Sequence, residues 1–419
     1  SGYRTDRIRA TSVSFAADTA STRVEASSGD LSLRFSSRSP LDSLIAALTR
    51  SADTLTRQIR LQKVDMEQLQ PVLPDFDLQA AAGRNNILNN LLKTRKASFK
   101  ALEIRGGNHG SQPVSLRMRV EGLASGGIVL DTVKLGITQK EKQLAYYLRV
   151  ANTPGNLDHV AQAALYGSLA GNTGTVNLWQ KNRAGREGFR FGFDVAWTDS
   201  LVRASVTPRN PLFGFEPWEV NPGNYLVYRF DKHVEADLDL THGTQRFALR
   251  NVSAPGAPDG IRLDIAGLNI GSMQELLPSA PPIDGVLGAD VTLNLAPDSL
   301  CVRGDVSVSE LSYEKQRFGN LDFGLFYGQG RGHRADARLL LDGAEALTVA
   351  GDYRPDRESP LDLTVSVPGL PLRPVNIFLP EDLLRLSGDL GAKVHVRGTS
   401  DRLILDGGVR FAKTEVRVP

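Results

Sequence analysis

"SGDLGAKVHVRG", residues 387–398, and "DGVLGADVTLNL", residues 284–295, align without a gap at an offset of 103 residues. In the same register, Gly388, Leu390, Gly391, Ala392, Val394, Asp401, Leu403, Gly407 and Val409 match Gly285, Leu287, Gly288, Ala289, Val291, Asp298, Leu300, Gly304 and Val306. With one gap the upstream context repeats too. "LTVSVPGL" before "NIFLPEDLL" corresponds to "IRLDIAGL" before "SMQELLP". Each copy runs strand, Gly-Leu, short helical stretch, Pro, then a Gly-rich strand start. "SGDLSLRF" at 28–35 is a weaker echo. The spacing exceeds that of solenoid repeats, about 20–50 residues, so a duplicated strand-rich module is expected.

The pattern inside the repeat is period two. "ADVTLNL" sets Ala289, Val291, Leu293 and Leu295 on one face and Asp290, Thr292 and Asn294 on the other. "LDLTVSV" does the same from Leu361 to Val367, with Leu361, Leu363 and Val365 against Thr364 and Ser366. "VRGDVSVS" from 302 carries Val306 and Val308, and "AKVHVRG" carries Val394 and Val396 against Lys393 and His395. "VEADLDLT" from 234, "FRFGFDV" from 189 and "LRMRV" from 116 alternate likewise. Such alternation belongs to sheets with one dry and one wet face, and parallel sheets covered by helices show continuous apolar runs instead. The expected fold is mainly β: an elongated, curled antiparallel sheet with a few amphipathic helices, mostly in the N-terminal half.

Composition bounds the function. The chain has 419 residues, 41% hydrophobic and 23% charged, with 49 Lys plus Arg against 47 Asp plus Glu. That balance predicts no general nucleic-acid-binding face, and leaves a local basic patch open. The single cysteine, Cys301, excludes an intrachain disulfide and a cysteine-rich metal site, and reads as a small apolar filler. No run of about eighteen apolar residues occurs. The polar, already alternating start and the strand-like end lead us to expect a piece of a longer chain.

Helical periodicity appears at three places. Residues 39–60 put Leu41, Leu44, Ile45, Leu48, Leu55 and Ile59 on one stripe, with Ser39 as the expected N-cap and Pro40 in the first turn. "GRNNILNNLLKTRK" reads as a shorter helix, and so does "NLDHVAQAALYGSLAG", with Gly171 as its stop. These helices are expected to plug or cover the sheet; a membrane-surface role for 39–60 is the alternative. Pro and Gly clusters at 254–260 and 353–360 suggest four segments: 1–110, 111–254, and repeat modules 255–355 and 356–419, the last truncated.

Catalytic and metal signatures are missing. The six histidines show neither HExxH nor His-x-His spacing, and "GQGRGHR" at 328–334 lacks the lysine and helix of a phosphate loop. No G-x-S-x-G elbow occurs. Glu235, Asp237 and Asp239 alternate with Val234, Ala236 and Leu238, as on a wet strand face, whereas calcium needs ligands converging from a loop. We therefore expect no enzyme, cofactor or metal. The aromatic stretch 207–225, with Phe215 and Trp218, is either an irregular crossover or the groove of a surface adhesin or carbohydrate-binding protein.

The units "GLNIGSMQELLPSAPPIDGVLGADVTLN" and "GLPLRPVNIFLPEDLLRLSGDLGAKVHVRGTSDRLILDGGVRF" resemble the TamB family of AsmA-like proteins, most clearly over 255–419. The resemblance implies a periplasmic segment of a protein anchored in the inner membrane of a diderm bacterium. It implies a long curled sheet whose apolar groove takes phospholipid acyl chains. An Omp85-type outer-membrane barrel is the implied partner, through regions outside this segment, with a role in outer-membrane protein assembly. On that reading Val291, Leu293, Leu295, Val306, Val308, Leu361, Leu363, Val365, Val394 and Val396 are the groove candidates.

Overall fold

A computed structural model describes residues 8, 10–109, 113–153, 162–207, 211–253, 260–274, 283–296, 299–313, 316–329, 332–355, 357, 359–372, 385–399 and 402–417. The protein is mainly β, with antiparallel pairing in the ladders whose register is described and few helices. The chain divides into two compact units, residues 1–217 with 275–279, and residues 218–274 with 280–419.

In the first unit the strands pair in this order: Thr11–Ala17, Thr22–Ser28, Leu31–Ser37, Phe76–Ala82, Ala101–Asn108, Ser115–Ser125, Ile128–Lys140, Gln143–Ala151, Gln162–Ala170, Thr173–Lys181 and Glu187–Trp197. Leu201–Val206 and Leu212–Phe213 share the outer side of the last. Pairing passes directly from Ala101–Asn108 to Ser115–Ser125, so the ladder is unbroken across the boundary expected near 110. In the second unit Glu219–Val220 pairs with Val234–His242, and strands that follow one another in sequence pair from Tyr225–Arg229 through Val234–His242, Gln245–Val252, Gly260–Asn269, Ile283–Ala296, Ser299–Tyr313, Gln316–Gln329, His333–Leu341, Ala344–Tyr353, Leu361–Pro371 and Arg385–Thr399 to Arg402–Arg417. The Pro/Gly clusters at 254–260 and 353–360 leave that pairing continuous, Val252 facing Gly260 and Tyr353 facing Leu361.

The 103-residue repeat has a backbone counterpart. Gly285 and Gly388 each sit inside a strand where the register to the next strand slips, between Asp284 and Val286 and between Ser387 and Asp389. Their φ values are +153° and +99°, and the facing strands carry positive φ at Glu310 and Lys413, again 103 apart. The amide of Ile270 donates to the Gly285 carbonyl at 3.0 Å, and that of Leu372 to Gly388 at 2.8 Å. These are matching β-bulges. A Cβ on Gly388 would lie 2.5 Å from the Lys413 carbonyl oxygen, so the turn requires glycine. Gly29, in the 28–35 echo, instead turns the hairpin between Thr22–Ser28 and Leu31–Ser37.

The helices α1 (Leu41–Arg60), α2 (Met66–Leu69) and α3 (Ile87–Thr94) belong to the first unit, and the one-turn α4 (Gly271–Gln274) to the second. The expected stretch at 376–384 lies outside the described residues. The α3 N-cap is Asn86, whose side chain accepts from the Asn89 amide. The α1 cap is Pro40 and not Ser39, so no side-chain acceptor stands at the cap; the Ser39 carbonyl accepts from Thr22 Oγ1 at 2.9 Å. The helix expected over 156–171 is corrected. Gln162–Ala170 is a strand, paired on both sides, and residues 154–161 lie outside the described ones. Its alanines score as helix formers, but "AALYGSLA" also alternates, and two flanking strands satisfy its backbone; Gly171 turns the hairpin at φ +58°.

Candidate functional site

Antiparallel register puts directly paired residues on the same face, so the ladders can be read as rows across strands. In the second unit one row runs Leu263, Val291, Gly304, Leu325, Ala337, Val349, Val365, Val394 and Gly407. Its neighbour runs Ile261, Leu293, Val302, Tyr327, Ala335, Gly351, Leu363, Val396 and Leu405. Val306 stands in a third row between Ala289 and Phe323, and Val308 pairs with Leu287 and Leu321. Leu361 pairs with Tyr353, and Leu295 with Leu300. The nine candidates with described side chains therefore belong to one face; the side chain of Leu295 lies outside the described ones. Eight strand spacings of about 4.8 Å make each nine-residue row about 38 Å long.

Val308 is buried and the other candidates with described side chains are half-buried. On the opposite face Asp290 and Lys393 are exposed, while Thr292, Asn294, Thr364, Ser366 and His395 are half-buried. The two faces differ in chemistry more than in exposure, as in a sheet covered on neither side. The polar face is tied by cross-strand pairs. Arg262 forks onto Asp290 at 2.7 and 2.5 Å, and His395 Nε2 lies 2.6 Å from Asp362 Oδ1. Arg246 forks onto Asp239 at 2.9 and 2.8 Å, with Arg250 at 2.5 Å. The hydrogen bonds from Arg246, joined by the charge of Arg250, hold the Asp239 carboxyl below its ordinary pKa.

The first unit carries a longer apolar face that the sequence candidates omit. One row links Phe15, Val24, Phe35, Leu78, Gly106, Leu116, Ile137, Tyr146, Gly167, Val176, Phe193 and Val206 across twelve strands. The next contains Leu33, Ala80, Ile104, Met118, Leu135, Leu148, Leu165, Leu178 and Phe191. "FRFGFDV" and "LRMRV" signalled these strands, but only the pairing register joins them to a common floor. Beyond these rows, α3 lays Leu88 and Leu92 on a core of Ala82, Phe99, Leu102, Val120 and Val133, as a covering helix should.

The other border is a strap. After α1, residues 62–75 return along the sheet edge, bonded to polar side chains that end the apolar face. Asn108 Nδ2 donates to the Pro74 carbonyl at 2.7 Å, Ser37 Oγ to the Asp75 carbonyl at 2.6 Å, and Gln139 Nε2 to Gln70 Oε1 at 2.7 Å. Val64 and Gly171 exchange backbone hydrogen bonds, and Trp197 Nε1 donates to the Gln62 carbonyl. Twenty helical residues span about 30 Å. The six strand spacings from Leu31–Ser37 to Gln162–Ala170 come to about 29 Å, so α1 lies along this edge.

Here a second expectation is corrected. Of the expected stripe only Leu44 is buried; Ile45 is 52% and Ile59 75% exposed, and Leu48 and Leu55 are exposed as well. The buried side is polar, Ser51, Thr54 and Gln58. Ser51 Oγ bonds the Val72 carbonyl and Gln58 Nε2 that of Asp65, both on the strap, so α1 packs on backbone acceptors and turns its apolar side out.

Among the described residues no group of three His, Cys, Asp or Glu is placed to hold a metal ion, and no helix is long and apolar enough to cross a membrane. Trp218 is 3% exposed and packs beside His242 at 6.0 Å, leaving no open indole face for a sugar; Phe215 is covered by Arg186 at 4.7 Å. Compared with known proteins, the chain matches no family model, no curated protein and no solved structure.

Proposed function

We propose that this chain is a segment of an envelope-spanning AsmA-like protein of the TamB type, whose apolar sheet face carries phospholipid acyl chains. One observation carries the reading: the apolar rows run unbroken over twelve strands in the first unit and nine in the second, and stay at least half-open except at Val206 and Ile261, which are buried. An uncovered apolar face costs about 25 cal/mol per Å² of unburied surface, and an acyl chain lying on it recovers that term without any directional contact. The setting that fits is the periplasm, with an anchor in the inner membrane and an Omp85-type barrel as outer-membrane partner, both engaged by other parts of the protein. The reading makes the chain a conduit or assembly scaffold and not an enzyme.

Photo-crosslinking tests this. A photoreactive residue at 365, in the Val365 row, should capture phospholipid when the protein is purified from envelope membranes, and one at 364, on the opposite face, should not. Equal labelling at both positions, or none at either, overturns the proposal.

A further inference from the structure

On the polar face of the first unit, like charges stand directly opposite one another. Arg105 pairs with Arg117, and Arg119 pairs with Lys134, which pairs in turn with Arg149. Directly opposite side chains have Cβ atoms about 5 Å apart, where like charges are destabilising. Like charges also face each other in the second unit, as at Asp264, Asp290 and Asp305, but there Arg262 reaches diagonally across to fork onto Asp290. Here the nearby acids offset Arg119 alone among these cations, with Glu103 directly opposite it. Glu121 pairs with Arg119 at 2.6 Å, and Asp77 lies against His109 at 3.2 Å. Arg105, Arg117 and Lys134 form no ion pair with a described carboxylate, and Arg149 stacks on Trp179 at 5.6 Å.

The same cations rim a hollow of about 570 Å³, which Arg105, Arg117, Arg119 and Lys134 line together with Tyr147 and His109. Gly107 lines the hollow, and the Tyr147 ring on its wall lies over Gly136, where a Cβ would come within 2.3 Å of it. Two independent features thus coincide: facing cations at Arg105 with Arg117 and Lys134 with Arg149 that pair with no described carboxylate, and a concavity of ligand size.

We propose that this hollow is a binding site for a phosphate-bearing anion, distinct from the apolar face and independent of the lipid reading. Arginine forks match phosphate oxygens in pairs, and Lys134 adds a point charge between Arg119 and Arg149. A bound phosphate group removes the mutual repulsion, so binding and stability are linked with opposite signs for the same side chains. Glu103, which also lines the hollow, disfavours carboxylate-rich ligands that cannot place a multiply charged group among the arginines.

The test uses the whole chain, with pyrophosphate and inorganic phosphate as soluble probes and phosphatidylglycerol against phosphatidylcholine vesicles as membrane probes. Arg117→Ala and Lys134→Ala should each weaken anion binding about tenfold, the worth of one charge-assisted contact, while raising the melting temperature in low salt. A residue with a merely structural role would not raise it. Pyrophosphate binding assigns the site to soluble phosphates, and binding only to phosphatidylglycerol vesicles assigns it to lipid headgroups. Lys393→Ala, on the polar face of the second unit, should change neither quantity. The proposal fails if no probe binds the parent protein, if Lys393→Ala weakens binding as much, or if both first-unit variants bind like the parent. It fails too if single-stranded RNA alone binds, since that marks a general polyanion surface.

Discussion

Replacing Val394 with Asp puts a carboxylate in the nine-strand row one strand from its end, directly between Val365 and Gly407. Burying a whole valine side chain is worth about 1.5–3 kcal/mol. Val394 is half-buried, so the exchange forfeits about 1 kcal/mol while the new charge stays hydrated in an open trough. For a unit of this size that lowers the melting temperature by about 2–4 °C. In a closed sandwich the same charge would be buried without a partner, costing about 3–5 kcal/mol and upwards of 8 °C. An acyl chain lying across the row must desolvate the carboxylate, a penalty of several kcal/mol that empties the face of lipid. The assay is thermal unfolding together with phospholipid extracted and quantified per mole of protein, for Val394→Asp, Leu293→Arg and the opposite-face control His395→Ala. Near-parental melting with lost lipid is the expected result. Unfolding of both floor variants, with no phospholipid extractable from the parent, refutes the open-trough reasoning.

Three further outcomes follow from the geometry. Gly388→Ala should destabilise by about 1–3 kcal/mol in urea titrations, because φ +99° and the Lys413 carbonyl both oppose a Cβ; Gly343→Ala, at φ +78° with open space around it, should cost less. Asp239 has a lowered folded-state pKa, so its stabilisation is present above the unfolded carboxylate value of about 4 and is lost as pH falls through the lower folded value. Asp239→Asn should therefore melt below the parent at pH 7 and converge with it in acid. On α1, Leu44→Ala should lower the melting temperature markedly, whereas Ile45→Glu with Ile59→Glu should leave it within about 2 °C, since exposed positions cost little; equal losses would mean that the stripe is buried.

The second unit was largely legible because strand alternation and the glycine spacing report the same thing, faces and bulges, through purely local chemistry. Val291 and Val394 announce their side of the strand by their own neighbours. The first unit hid more. Its apolar rows depend on which strand pairs with which, and nothing in Leu116 or Phe193 names a distant partner. The residues Gln162–Ala170 carry both periods at once, and tertiary pairing decided between them. The α1 stripe misled for a different reason. Amphipathicity predicts which side is apolar, but the surface beneath α1 is a strap of carbonyl groups, so Ser51 and Gln58 face it and the leucines do not. The basic hollow was invisible to net charge, because Arg117 and Lys134 become neighbours only through register.

In the second unit, from Gln245–Val252 to Arg385–Thr399, each described strand pairs with the strand on either side of it, and Arg402–Arg417 presents Leu403, Leu405, Val409 and Phe411 openly. Such a ladder behaves as a nearest-neighbour chain, in which the free energy of opening accumulates one interface at a time. Opening of one strand should then expose the amides of its own two interfaces to exchange while those of distant strands stay protected. A defect in one strand then loosens its two interfaces and leaves the remainder zipped, and the unit tolerates local damage that a single shared core would spread to every element.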